Sequence, residues 1–324
     1  MDTLKLNRIG IFLFLILLGA SLQAQQGVQW TQYVMNKYAI NPAYAGLDKS
    51  LSITGGIRSQ WSKFEGSPKT QILNAHLPMY FLNGSVGFSL ENDQAGPLRR
   101  TSGAVSYNYV YDGSFGLISF GGRIGIQQVG LNTDALITPD GIYQDQTIDH
   151  QDPRITVANP VGITPIWSLG GYYILDMLEV GLAFDHFPNT GSEAGATTFN
   201  NESQISLFAS YQIPVGEILS VEPNFFVKTD GAQTQVDLGV IGYYETVFAG
   251  ASIRGLNGNS LDALGMLVGT RLSKNVRISY SFDLGLSGLS DFHSGTHEFL
   301  FNYNLAKPIR TGELPKIIYN PRYR

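Results

Sequence analysis

The stretch HEFLFNYNL near the C-terminal end alternates in polarity. Phe299, Phe301, Tyr303 and Leu305 fall on one side, and Glu298, Asn302 and Asn304 on the other, with Leu300 the exception. VRISYSFDL repeats the pattern: Val276, Ile278, Tyr280, Phe282 and Leu284 oppose Arg277, Ser279, Ser281 and Asp283. Val236, Leu238 and Val240 oppose Gln235 and Asp237, and Val105, Tyr107, Tyr109 and Tyr111 oppose Ser106 and Asn108. Side chains alternate across a strand, so each segment predicts a strand with one apolar and one polar face. About fourteen such segments follow one another, an even number, as single-chain membrane barrels use. They centre near Ile57, Leu73, Phe88, Tyr107, Ile124, Gly171, Leu182, Leu207, Phe225, Leu238, Phe248, Met266, Ser279 and Phe301.

Connection lengths also alternate. DGSFG (112–116), LDM (175–177) and LSKN (272–275) read as tight turns, and 62–69, 92–101, 129–166, 186–202 and 285–296 as longer loops. Short turns of such barrels face the periplasm and long loops the outside. An even strand number then places both termini in the periplasm.

Composition separates a barrel in lipid from a soluble β-sandwich, which would alternate in the same way with its apolar face inward. Charged residues make up 15% of the chain, against about 25% in soluble proteins. After Ala20 no apolar run approaches the ~20 residues of a membrane helix. An all-β fold follows: a transmembrane antiparallel β-barrel of about 14 strands. Its N-terminal segment is expected to form a periplasmic plug or collar. Lys5 and Arg8, then an apolar run from Ile9 to Ala20 and SLQA, describe a signal peptide cleaved after Ala24. The divisions are 1–24 signal peptide, 25–50 motif segment at the periplasmic mouth, 51–305 barrel and 306–324 basic periplasmic tail. Without residues 1–24 the chain carries 19 basic and 25 acidic residues, no basis for nucleic-acid binding. The absence of Cys rules out a disulfide scaffold.

Four stretches carry a resemblance: QYVMNKYAINPAYAG (32–46), RSQWSKFEGSPKTQ (58–71), LENDQAGP (90–97) and SGTHEFLFNY (294–303). Together and in this order they closely resemble the PorP/SprF family of outer-membrane proteins, part of the type IX secretion system of the Bacteroidetes. Ser62-Lys63, where a Gly is commoner, and the tail after Leu305 depart from the pattern. The resemblance implies a non-enzymatic outer-membrane component that supports export or surface anchoring of a large, adhesin-like secreted partner. It further implies a link to gliding motility and to a periplasmic ring bound to peptidoglycan. Membrane lipid is the other expected partner.

Candidate partner-binding residues follow from these segments. Thr31 is expected to cap a short helix from Gln32 to Tyr38, which Asn41-Pro42 stops. Gln32, Tyr33, Asn36, Asn41, Pro42, Tyr44 and Gly46 either seal the periplasmic mouth or form a docking surface. Arg58, Trp61 and Phe64, with Gln60, Lys69 and Gln71, form either an external lip or a loop folded into the lumen. Arg310, Lys316 and Arg322 of the tail are candidates for docking on an acidic periplasmic partner.

Evidence for chemistry is thin, and no metal or cofactor is expected. His293 and His297 stand four apart, a spacing that shares a face on a helix but not on a strand. Asp134, Asp140, Asp145, Asp149 and Asp152 lack calcium-loop spacing and read as solvated. A barrel hydrolase would have to use His76 with Ser89, on neighbouring strands. The main alternative function is a fourteen-stranded transport channel for small hydrophobic molecules, closed by an N-terminal plug.

Overall fold

The computed structural model describes residues 27–143, 149–152, 155, 158–186, 189–195, 197–255, 261–286 and 294–307. Seventeen strands lie along this part of the chain. They are β1 (Ser52–Ser59), β2 (Lys69–Met79), β3 (Gly84–Ala95), β4 (Leu98–Gly113), β5 (Gly116–Leu131), β6 (Val161–Leu175), β7 (Leu178–Asp185), β8 (Thr190–Ala194), β9 (Thr197–Asn201), β10 (Gln204–Tyr211), β11 (Ile213–Val215), β12 (Leu219–Thr229), β13 (Thr234–Tyr244), β14 (Val247–Arg254), β15 (Ala263–Arg271), β16 (Val276–Gly285) and β17 (Thr296–Asn304). Fourteen of them form a closed antiparallel barrel. β7 pairs with β10, β10 with β12, and β1 closes the ring on β17. Every one of the fourteen expected strand centres lies in one of these fourteen strands. The remainder are the β8–β9 hairpin and the three-residue β11, which pairs only with β12.

The barrel is inside-out relative to a soluble protein. Ile57, Val105, Ile124, Leu169 and Val268 project from its outer face, Ile124 with 65% of its surface exposed. Ser106, Asn108, Glu222, Asp237, Ser281 and Glu298 point inward and are buried. Among the described residues no helix is long and apolar enough to cross a membrane. The apolar outer face and the ring closure, which leaves no unpaired strand edge in lipid, supply what a bilayer requires. Leu300, the exception to alternation, points into the lumen with 2% of its surface exposed. It lies opposite Gly56, where a Cβ would sit 2.4 Å from its methyl group, and packs with Trp30 and Ile72. An absent side chain in one strand makes room for an apolar one in the next.

Turns at one end are short, including 114–115, 176–177 and 272–275, and β1 begins and β17 ends at that rim. The opposite, loop end carries most of the longer connections. One expected loop is absent: within 92–101, β3 and β4 continue as a ribbon closed by Gly96 and Pro97 alone. Gly96 takes φ +56°, which permits so tight a reversal.

Candidate functional site

Residues 28–47 run through the lumen as a strap. Their local structure is modest: turns, a four-residue helix α1 (Lys37–Ile40) and a 3-10 turn over Pro42–Tyr44. The expected helix from Gln32 to Tyr38 is therefore displaced and shortened. Thr31 does not cap it, because its hydroxyl is committed to the barrel wall. Asn41 does end α1, in extended conformation at φ −152° before Pro42.

Neither is the strap confined to one mouth. Gly27 lies beside Gln204 and Lys228, at the loop end, and Lys228 Nζ donates to its carbonyl at 3.0 Å. The chain then descends the length of the lumen and enters β1 at the turn end. Gly27 and the last strand residue, Asn304, therefore sit at opposite ends of the barrel and not on the one side that an even strand number implies for both.

Four sets of wall residues hold the strap. Near the loop end, Glu298 accepts from the backbone nitrogens of Thr31 and Gln32 at 2.8 and 3.1 Å. Thr31 Oγ1 donates to Asp283 at 2.7 Å and accepts from Arg254 at 2.8 Å. Arg254 also bonds Asp237 and Asp283, at 3.1 and 3.0 Å, and Arg58 pairs with Glu298. Midway, Tyr33 stacks on Phe226 with centroids 4.9 Å apart and donates to Asn224 at 2.6 Å. Lower down, Lys37 Nζ lies 2.6 Å from Glu179 and 3.7 Å from Glu222. Tyr172 and Tyr243 donate to these two carboxylates at 2.7 and 2.8 Å. A lysine only 2% exposed requires such partners, because an unpaired buried charge is strongly unfavourable.

The final set is directed at the strap backbone. Asn108 donates to the carbonyls of Ala43 and Ala45, both at 2.8 Å, and Ser119 to that of Ala43 at 2.7 Å. In the opposite sense, Asn41 of the strap donates to the wall carbonyls of Gly171 and Leu182. His76 Nδ1 accepts from the Gly46 nitrogen at 3.0 Å. Small residues let the strap approach the wall. Cβ atoms at Gly87, Gly121 and Gly170 would meet Tyr38 Oη at 2.4 Å, Ala43 Cα at 2.7 Å and Asn41 Oδ1 at 2.1 Å. Gly46 takes φ +67°, and a Cβ there would sit 2.1 Å from Ser85 Oγ.

The sequence-predicted residues thus divide. Gln32, Tyr33, Asn36, Asn41, Pro42, Tyr44 and Gly46 come together, but buried in the lumen, so they present no docking surface in this arrangement. Arg58 is buried beside them and does not join an external lip, since its ion pair turns it inward. Trp61 is half-buried and Phe64 is 53% exposed on the loop after β1. Lys69 and Gln71 are exposed. Arg310, Lys316 and Arg322 lie outside the described residues, as do Asp145 and His293.

The wall residues that grip the strap, namely Asn108, Glu179, Glu222, Asp237, Arg254, Asp283 and Glu298, carry no motif that sequence reasoning turns into a site. Their signal in the sequence was a carboxylate, guanidinium or amide at lumen-facing positions of predicted strands, where Ser or Gly would satisfy the alternation equally well. His76 lies opposite Gly87, two residues along β3 from Ser89, and its Nδ1 is occupied by the strap. Among the described residues no group of His and acidic side chains is arranged to hold a metal.

No curated protein sequence matches the chain. Among solved structures it is similar to the outer membrane protein Omp33 of Acinetobacter baumannii, at 8% identity and TM-score 0.48, over 79% of this chain and 98% of that one. It is also similar to mutants of the Rh. blastica porin. One has 12% identity and TM-score 0.35, another 13% and 0.34, each over 79% of this chain and 99% of the porin. Residues 22–303 match the family described as "Type IX secretion system membrane protein PorP/SprF". With the match running through both the strap and the barrel, this outer-membrane β-barrel chain belongs to the PorP/SprF family of type IX secretion membrane proteins.

Proposed function

We propose that this barrel serves type IX secretion without being the conduit, and that it supports export or surface anchoring of a large adhesin-like partner. The family match carries the secretion role, and the single observation that sets the barrel apart from a conduit is the strap: a covalently continuous segment runs through the lumen and is bonded to opposite walls from Thr31 to Gly46. A polypeptide could cross only if that whole network were broken. Engagement of a secreted partner then falls to the surfaces outside the lumen. With the short turns in the periplasm, the loop end faces the partner, and the turn end faces a periplasmic ring bound to peptidoglycan. Gliding motility would follow from carrying an adhesin on such a ring.

The test is capture from native outer membranes. An affinity-tagged chain should co-purify one abundant surface protein, and deletion of the gene should leave that protein off the cell surface. Unchanged surface display in the deletion strain would sink the proposal. The channel reading requires the strap to leave. In planar bilayers the intact protein should then conduct, whereas a filled lumen predicts no steady conductance.

A further inference from the structure

Charge is divided unevenly between the two faces of the wall. In the fourteen barrel strands every Asp and Glu occupies a lumen-facing position, from Glu91 on β3 to Glu298 on β17. So does every Lys and Arg except two: Lys69, the first residue of β2, and Arg99, the second of β4. Both are exposed on the outer face. A charge facing lipid is costly at mid-bilayer and tolerated near an interface. Two of one sign on one patch of that face call for a counter-charge.

The strand register brings the pair together. Lys69 lies opposite Gln94 on β3, and Gln94 opposite Arg99, so the three form one outward row at the loop end. Two strand spacings, about 10 Å, separate the backbones of the cations, and their long side chains can meet over Gln94. The next row toward the turn end is Gln71, Asn92, Thr101 and Gln128. The one after that, Leu73, Leu90, Gly103 and Ile126, begins the apolar band, with Ile126 63% exposed.

The patch is ordered by its own bonds. Arg99 Nε and Thr101 Oγ1 both donate to Asn92 Oδ1, at 2.8 and 3.1 Å. That fixes the guanidinium and leaves its terminal nitrogens without a hydrogen bond among the described residues. Neither Lys69 nor Arg99 makes an ion pair among the described residues. A bond from the Gly96 nitrogen to the Gly66 carbonyl, at 2.8 Å, ties the β1–β2 loop to the β3–β4 turn above the row. The exposed charges of the flanking loops are Lys63 with Glu65 before β2 and Asp134 after β5, so the acids stand in loops and not on the patch.

We infer that Lys69 and Arg99, with Gln94 between them, bind the phosphate of a lipid headgroup at the outer-leaflet boundary. The Gln71–Gln128 row bonds the rest of the headgroup, and the Leu73–Ile126 row carries its acyl chains. Assignment to the outer leaflet rests on the loop end facing outward, as in the proposed function. Guanidinium and ammonium groups are strong partners for phosphate, and an anionic headgroup cancels two like charges beside lipid. The apolar row directly below favours a lipid over an acidic protein.

The probe is dioctanoyl phosphatidic acid, added to the purified full-length protein in neutral detergent and read as bound adducts by native mass spectrometry. Lys69→Gln combined with Arg99→Gln should weaken its binding about tenfold, as for the loss of one charge-assisted hydrogen bond or more. Lys274→Gln, on an exposed turn at the other end, should leave binding unchanged. The exchanged pair, Lys69→Arg with Arg99→Lys, keeps both charges and should retain binding, which separates lost contacts from lost folding. Dioctanoyl phosphatidylcholine, whose phosphate is offset by its own cation, should bind weakly throughout. Equal affinity of the wild-type protein and the folded double-Gln variant for the probe would overturn the inference. So would its displacement by inorganic phosphate at equal concentration, which would leave a patch for any anion, or unchanged lipid binding with loss of a co-purifying protein, which would give the patch to an acidic partner. The measurement needs neither a secreted protein nor a membrane orientation, so it can fail while the secretion role holds, and the reverse.

Discussion

The barrel wall and the strap obey opposite rules. In the wall, backbone ladders provide the framework, and the side chains need only be apolar outward and polar inward. Leu238 and Asp237 are adjacent in β13, one exposed on the outer face and the other buried in the lumen. In the strap the backbone bonds to itself only in short turns, and side chains from β1 through β17 supply the bonds that fix those turns in the lumen. A polar wall residue is therefore not interchangeable with any other polar residue. Asp237 is such a case: it accepts from Arg254, Gln29 and Gln235, and an Asn there could not pair with the guanidinium as an ion. The lumen is a binding site for the chain's own N-terminal segment, and it is built with the specificity of one.

The comparison is broken most severely inside. Arg254→Met should destabilise the folded protein by about 3–5 kcal/mol, because it leaves Asp237 and Asp283 buried without their shared cation. Denaturant midpoints in detergent check the size, and protease cleavage near Thr31 checks that the strap loosens first. On the outer face, Leu238→Arg should cost about 2–4 kcal/mol in a bilayer, whereas Leu238→Phe should be nearly neutral. Reversible folding into lipid vesicles measures both. Normal insertion of the Arg variant would mean that the outer face is not in lipid.

Two glycines sharpen the contrast at equal chemistry. Gly87→Ala drives a methyl toward Tyr38 Oη and Ser106 Oγ, at 2.4 and 2.6 Å, and should cost about 1–3 kcal/mol as overpacking. Gly55→Ala, where nothing lies within 4 Å, should change stability little. Similar midpoints for the two variants would count against a tightly seated strap. The smallest effect belongs to Phe64→Ala on the exposed loop, within about 0.5 kcal/mol for stability. Pull-down from native membranes then reads whether that loop contributes to partner capture.

Fourteen strand positions, the inward and outward faces, and the tight turns were legible because a period of two is written locally in each segment. The density of Tyr, Asn and small residues in YVMNKYAINPAYAG was legible as well, but not its place. Nothing local distinguishes a collar at a mouth from a strap through the lumen. The inward turn of Arg58, the grip of Lys37 between Glu179 and Glu222, and the position of Gly27 at the loop end all depend on residues brought together across the barrel.

By itself, then, the sequence determined the barrel, its strand number, its polarity and, through four motifs, its family. Alternation, low charge and motif order are properties of the chain read along its length. Only the tertiary structure decided what fills the lumen, which end the strap starts from, and that the polar wall residues act as its receptor. The physical reason is separation: Thr31 and Asp283 are 252 residues apart, and Lys37 and Glu179 are 142 apart. Pairings at such distances exist only once β1 has closed on β17 and the lumen has formed around the strap.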